Sequence, residues 1–449
     1  MSRNVTRRQF VQTTAALGIG YWITDRAGPL YSGEAESKSP NERVAFACIG
    51  LEGKGHSDSD DARRLGDVVA VCDIDMNYLS AARNRFPKAR QFTDFRKLLD
   101  EMHKSIDAVT VSTPDHIHAL AAAMAMRHGK HCFVQKPLTH SLHEARVLAQ
   151  LARDNKVATQ MGNQGTAASN LRRAAALIRA GVLGNVSEIH IWTNRPIWPQ
   201  GLDRPSPVPP PAELNWDLWL GPAPQRPFAR LTSGGAVYHP FAWRGWWDFG
   251  TGALGDIACH AVNMTFRALD LRDPATVQAE TSGHNRDSFP AWSIITYEFA
   301  ATAARPALKL CWYDGGKRPK DELFAGIEGR DGGCLVIGDK GKMLSAGGGP
   351  EGFRLSKGLV PPEVSFPVSP GHFEEFVRAI RGGDPAWSNF PEYAGPLTET
   401  VLVGNLAVWV ANAPGPGPKL EWDAVNHRVK NHEGLEPLIR REYRNGYEL

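Results

Sequence analysis

RVAFACIGLEGKGHSDSDDARRLGDVVAVCDID, residues 43–75, decides the fold. Its first eight residues are nearly all apolar, as in a strand covered on both faces. Gly50, Gly53 and Gly55 crowd the turn that follows. Residues 57–66 carry a helical pattern, and 67–72 form a second apolar run ending at Asp73. Strand, glycine turn, helix and buried strand make a βαβ unit, which implies a parallel sheet with right-handed crossovers. The alternation continues with a helix over 76–86 and a strand over 105–111.

Glycines after a first strand let the backbone approach a pyrophosphate, which then rests on the N-terminus of the next helix. An acid ending the second strand accepts hydrogen bonds from ribose hydroxyls. Asp73 lies 23 residues past Gly50, near the usual spacing for that role. Its charge would repel a 2′-phosphate, so NAD is expected rather than NADP. One position departs from the G-x-G-x-x-G pattern: Glu52 stands where a glycine belongs.

VSTPDHIHALAAAMAMRHGKHCFVQKPL, residues 111–138, is more specific. Its last strand breaks at Gln135-Lys136-Pro137, and the proline restricts the backbone that carries Lys136. Thr113, Pro114 and His118, then Gly129-Lys130-His131, Gln135-Lys136-Pro137 and Asn163-Gln164-Gly165, resemble the signatures of the Gfo/Idh/MocA oxidoreductases. That family is named for glucose–fructose oxidoreductase, inositol dehydrogenase and a rhizopine-catabolism protein. The resemblance spans residues 42–195 and resumes around 243–270.

This resemblance implies a Rossmann domain over 42–165 and an α+β domain with a mostly antiparallel open sheet over 166–412. It implies nicotinamide-dinucleotide contacts at Gly50, Gly53, Gly55, Asp73, Thr113, Pro114, His118, Gln135, Lys136 and Gln164. Gln135 replaces the family's usual glutamate, which removes a negative charge beside Lys136. The resemblance also implies a homo-oligomer built through the open sheet face.

Asp256 and His260 stand four apart in a segment that reads as helical from 256 to 269, with 250–255 as its approach. A carboxylate beside an imidazole raises its pKa and assists proton acceptance. These two match the catalytic Asp and His of inositol-dehydrogenase-like members, and Lys136 matches their lysine. The implied chemistry has His260 accept a substrate hydroxyl proton, Lys136 donate to that oxygen, and Asp256 orient His260.

The remaining sequence bounds the possibilities. His116-x-His118 has a ligand spacing, but no third ligand cluster is near and no C-x-x-C occurs, so no metal site is expected. Cys48, Cys72 and Cys132 lie in apolar runs and read as buried thiols. A net charge of +3 over 449 residues gives no case for nucleic acid. Residues 196–227 are proline-rich with interspersed tryptophans, and a second aromatic group spans 238–249. Most of these rings should pack between domains, with one or two left to face a sugar. Strands are expected over 292–299, 307–313 and 334–338, helices over 372–380 and 399–412, and a surface-packed tail over 413–449.

Thr6-Arg7-Arg8-Gln9-Phe10 is a twin-arginine pattern followed by a mild apolar stretch, so residues 1–41 read as an export signal and spacer. That stretch is too short and weak for a stable membrane anchor, and the expected destination is the periplasm. Little free NAD is found there, so the cofactor should be held tightly. Two activities fit a carbohydrate substrate. One is NAD(P)-dependent oxidation or reduction at a CH–OH carbon; the other is a redox-neutral glycoside hydrolysis that passes through transient oxidation.

Overall fold

The computed structural model describes residues 43–449 except 232, 329–331, 347–351 and 445. The export signal and spacer expected over 1–41 lie outside the described residues.

Six strands form an all-parallel sheet: β1 (Val44–Ile49), β2 (Gly66–Cys72), β3 (Arg90–Phe92), β4 (Ala108–Val111), β5 (His131–Val134) and β6 (Thr159–Met161). Their order is β3-β2-β1-β4-β5-β6. The chain moves outward one way from β1 and then returns to start again at β4. Between those two strands the connections diverge, which leaves a crevice at their C-terminal ends. The continuous apolar character of β1 follows from its place: Phe46, Ala47 and Cys48 are wholly buried beneath helices on both faces. The strand expected over 105–111 begins at Ala108, because His103–Ser105 forms a 3-10 turn.

The second sheet gathers β7 (Val186–Trp192), β8 (Thr276–Ser282), β9 (Ser293–Phe299), β10 (Leu308–Tyr313), β11 (Gly333–Gly338), β12 (Lys342–Ser345) and β13 (Phe353–Leu355). The C-terminal segment adds β14 (Pro414–Pro416), β15 (Leu420–Asp423) and β16 (Arg428–Val429) at the β8 edge. All neighbouring pairs in it are antiparallel except β7 with β10. Strand β9 alternates strictly, with Ser293, Ile295, Tyr297 and Phe299 buried and the residues between them half-buried. That period of two marks a sheet packed on one face.

Helix Gly395–Val410 lies against both β8 of this sheet and helix Leu142–Asp154 of the first. It is buried on nearly all sides, and its polar residues Thr398, Glu399, Thr400 and Asn405 each have a hydrogen-bond partner. Its backbone comes so close to β9 that a Cβ on Gly404 would stand 2.0 Å from the Tyr297 hydroxyl. The helix begins four residues before the expected 399, since Pro396 sits in its first turn, where a missing N–H costs nothing.

The helix expected over 256–269 also differs. It starts at Gly252, with φ +67, and breaks at Val262 into Gly252–Ala261 and Asn263–Leu269. Glycine at 255 is what brings the first turn down: a Cβ there would lie 2.0 Å from Thr251 Oγ1. All six cysteines are buried and unpaired.

Candidate active site

The crevice between β1 and β4 is built from bare backbone. Gly50 ends β1 with φ +84, and a Cβ on it would lie 2.4 Å from the Ser112 carbonyl oxygen. A Cβ on Gly55 would lie 2.2 Å from the Gly50 oxygen. These two glycines close the turn. Gly53, with φ +58, has nothing within 4 Å and leaves the N-terminus of helix Lys54–Leu65 open. A pyrophosphate fits such a cradle, with the helix dipole favouring its charge. Glu52 is exposed, and its carbonyl accepts the Gly55 N–H at 3.0 Å, so the turn does not need a glycine there.

Asp73 caps the crevice from the end of β2. Its oxygens accept the N–H groups of Leu51 at 2.9 Å and Asp75 at 3.0 Å, and burial pushes its carboxyl up to about 6. Each oxygen keeps a further lone pair for a hydroxyl donor. Just after β6, the amide oxygen and nitrogen of Gln164 are both buried with no protein partner. A buried, unsatisfied amide at this position suits a bound ligand with its own donors and acceptors.

Lys136 follows β5 and precedes Pro137 through a cis peptide bond. Its Nζ donates to Asp256 Oδ1 at 2.8 Å and to the Asp256 carbonyl at 2.9 Å. Arg244, from the turn Ala242–Gly245, donates through Nε to the same Oδ1 at 3.0 Å. Burial opposes charge on Asp256, but Lys136 and Arg244 together hold its carboxyl far below the usual carboxylate range. It is therefore ionised at any working pH.

His260 lies one helical turn beyond Asp256 and is 6% exposed. Here the sequence expectation is corrected. Burial, reinforced by the Lys136 charge, holds the imidazole well below its normal value, and the opposing pull of Asp256 is weaker. Asp256 has already spent its charge on two cations. A neutral imidazole is the form that can accept a proton.

Asp115, at the start of helix Asp115–Arg127, is the second acid beside this group. It is buried, accepts the Thr251 hydroxyl at 2.7 Å, and is pushed up to about 7 by burial. Its folded pKa is raised above the unfolded value, so its contribution favours folding below about pH 4 and is lost as pH rises towards 7. Asp115→Asn is therefore expected to match the parent protein's stability near pH 4 and to exceed it at pH 8. The gain should be on the order of 3 kcal/mol, measured by denaturant unfolding at both pH values.

Thr113 and Pro114 lie between β4 and that helix, with Pro114 at its N-cap. His118 braces the loop from below: its ring nitrogens face the carbonyls of Thr113 and Pro137, each at 2.8 Å. Burial pulls its pKa down to about 4, so at neutral pH it carries one N–H and donates to one of them. His116 is likewise held between the Trp219 and Phe249 carbonyls.

Gln135 turns away from Lys136. Its Nε2 donates to Asp58 Oδ2 at 2.8 Å, and Asp58 also accepts from Ser112 at 2.7 Å and pairs with Lys54 at 3.1 Å. The negative charge that glutamate would bring at 135 is supplied by Asp58 instead. Gln135→Glu would press two carboxylates together under Gly162, where a Cβ would already lie 2.3 Å from the Gln135 amide. We expect that variant to lose about 2 kcal/mol of stability at pH 8 and Asp58→Asn to restore it, as read by a double-mutant cycle.

The proline-rich excursion reaches back to the first sheet. Met76 N–H donates to the Glu213 carbonyl at 3.0 Å, Asn215 N–H to the Ile74 carbonyl at 3.1 Å, and His239 Nε2 meets Asp75 Oδ2 at 3.1 Å. These contacts flank Asp73. Most of the aromatic rings form a packed cluster, among them Trp219, Tyr238, Trp246 and Phe249. Phe241 is the exception, 43% exposed next to Arg244.

Sequence reasoning missed Arg244, Asp115 and Asp58. Arg244 sits inside an aromatic run with no motif spacing to Asp256, and Asp58 lies 77 residues from Gln135. Asp115 lay inside the quoted segment but had no carboxylate partner in sequence to single it out.

An oxidoreductase-family profile for an NAD-binding Rossmann fold matches residues 43–163. A second, for the family's C-terminal alpha/beta domain, matches 168–334. A glycosyl hydrolase family 109 protein of Shewanella pealeana is 29% identical over 205 residues, covering 40% of this chain and 44% of that protein. Levoglucosan dehydrogenase of Pseudarthrobacter phenanthrenivorans is 24% identical over 200 residues, covering 43% and 40% respectively. The chain thus spans less than half the length of either relative. Among solved structures, the WlbA dehydrogenase of Bordetella pertussis, in complex with NADH and UDP-GlcNAcA, superposes with a TM-score of 0.56. It is 16% identical, with 82% of this chain and 96% of that one covered.

Proposed function

The chain belongs to the Gfo/Idh/MocA family of NAD-dependent oxidoreductases, and from that premise we propose that it acts on a CH–OH carbon of a carbohydrate while keeping its nucleotide bound. The observation that carries this reading is the convergence of Lys136, Asp256 and His260 beside the glycine cradle. Bound NAD supplies the acceptor for the hydride that leaves the carbon. Neutral His260 takes the hydroxyl proton. Lys136 donates to the same oxygen as negative charge develops there, in a pocket where water does not screen it. Asp256, held ionised, fixes Lys136 from both its side chain and its carbonyl.

A second reading is supported by the glycosyl hydrolase relative. Oxidation at one sugar carbon acidifies the neighbouring C–H, the glycosidic bond leaves by elimination, water adds, and the carbonyl is reduced back. The purified protein, with no added NAD, separates the two readings. Aryl glycosides should stay intact and free sugars should produce NADH absorbance if the first reading holds. Release of the aglycone without net NADH would support the second. Absence of nicotinamide dinucleotide from the denatured protein would remove the tight-binding claim. The contacts of Ile74–Met76 with residues 213–215 and 239 support retention of the nucleotide, because they flank Asp73, the residue proposed to take its ribose hydroxyls.

The same proposal takes Thr6–Phe10 as a twin-arginine export signal and the periplasm as the destination. Fractionation of cells making the full chain, with and without Arg7→Lys and Arg8→Lys, should show export only for the parent.

A further inference from the structure

Arg244 has no part in the proton movements above, yet it reaches the centre of the site. Its Nε and the Lys136 ammonium share a single carboxylate oxygen of Asp256. Two cations thus meet one anion in a pocket where Asp256 is 8% exposed. Asp115, the other acid nearby, is pushed up to about 7 and brings less than a full countercharge at neutral pH. A surplus positive charge in a largely desolvated pocket is costly unless a ligand neutralises it.

The shape of the surroundings says where that ligand would sit. The Arg244 guanidinium lies 4.4 Å from the Phe241 ring and 4.3 Å from the Trp243 ring, which hold its plane. Nη1 donates to the Phe241 carbonyl at 3.0 Å. These bonds use two of the five donors of a guanidinium and leave three, on a side chain that is 20% accessible. One face of Phe241 lies against the guanidinium, and the ring is still 43% exposed, while Trp243 is 6% and Trp198 4% exposed. A flat apolar face next to a guanidinium fork matches a ring that carries a carboxylate.

We propose that Arg244 and Phe241 form a subsite for a sugar acid, a uronate or uronoside, with the ring's C–H face on Phe241 and its carboxylate on the remaining donors of Arg244. This deepens the carbohydrate reading and rests on it. The test is titration calorimetry on the NAD-containing protein with glucuronate, galacturonate, glucose, galactose and acetate. At least one uronate should bind ten times or more tighter than its hexose. Arg244→Gln should erase that preference, Arg244→Lys should restore part of it, and Phe241→Ala should weaken uronate and hexose alike. Bound NAD should be unchanged in every variant. Equal binding of uronate and hexose, equal loss of both in Arg244→Gln, or no binding of either uronate at millimolar concentration would overturn the subsite. Acetate binding as well as uronate, lost in Arg244→Gln, would keep Arg244 as an anion site but overturn the sugar-acid assignment and count against the carbohydrate reading.

Discussion

Lys136→Ala is expected to lower turnover at least about a thousandfold while the protein keeps its nucleotide. Removing a single donor from a developing oxyanion costs about 10²–10³ in rate, and Lys136 is also the group that places Asp256. Truncation leaves the Asp256 carboxylate buried with only Arg244 beside it, so stability should fall as well. Lys136→Met with Asp256→Asn removes both charges and should recover stability without recovering activity. His260→Ala should be as inactive as the lysine variant, through loss of the proton acceptor. The measurement is single-turnover reduction of bound NAD, or aglycone release under the hydrolytic reading, alongside the nucleotide content of the denatured protein. More than a tenth of parental activity in either single variant would show that the site has been misassigned.

Gly50→Ala should have the other large effect, this time on the cofactor. The methyl would stand 2.4 Å from the Ser112 oxygen on a residue with φ +84, so β1 and β4 would have to separate at the mouth of the crevice. The protein should purify without nucleotide and lose at least about 2 kcal/mol of stability. Gly53→Ala supplies the contrast. Its methyl meets nothing within 4 Å, but φ +58 with ψ −118 is a conformation open to glycine alone, so the variant should carry about 2 kcal/mol of backbone strain, and the methyl would occupy space left open for the pyrophosphate. If Gly53→Ala binds NAD as tightly as the parent, the nucleotide does not lie where the cradle puts it.

The Rossmann half was legible because its signals are local. An unbroken apolar run, a glycine turn and an acid at the next strand end all fall within 31 residues, 43–73. Lys136, Asp256 and His260 were legible through motifs, and the structure brings lysine and aspartate to 2.8 Å. The electrostatics were not legible. From sequence, Asp256 should raise the pKa of His260; in the fold, burial and then the Lys136 charge outweigh that pull. The meaning of Gln135 was hidden for the same reason. Its partner Asp58 belongs to another helix, and no spacing rule links positions 58 and 135.

Helix Gly395–Val410 has a consequence for how the molecule comes apart. It serves as core for the parallel sheet's helices and for the antiparallel sheet at once, and residues 44–449 cluster as one compact unit. Neither half can shed it without exposing Leu397, Val401, Leu402 and Leu406, all at or below 1% accessibility. Denaturation of the two halves should therefore be a single cooperative transition. A chain cut after residue 165 lacks the surface that seals its own β5–β6 side, so a minimal nucleotide-binding fragment would aggregate rather than fold. Any opening of the cleft during turnover is left to surface segments, since a rigid-body hinge would have to run through the middle of this shared core.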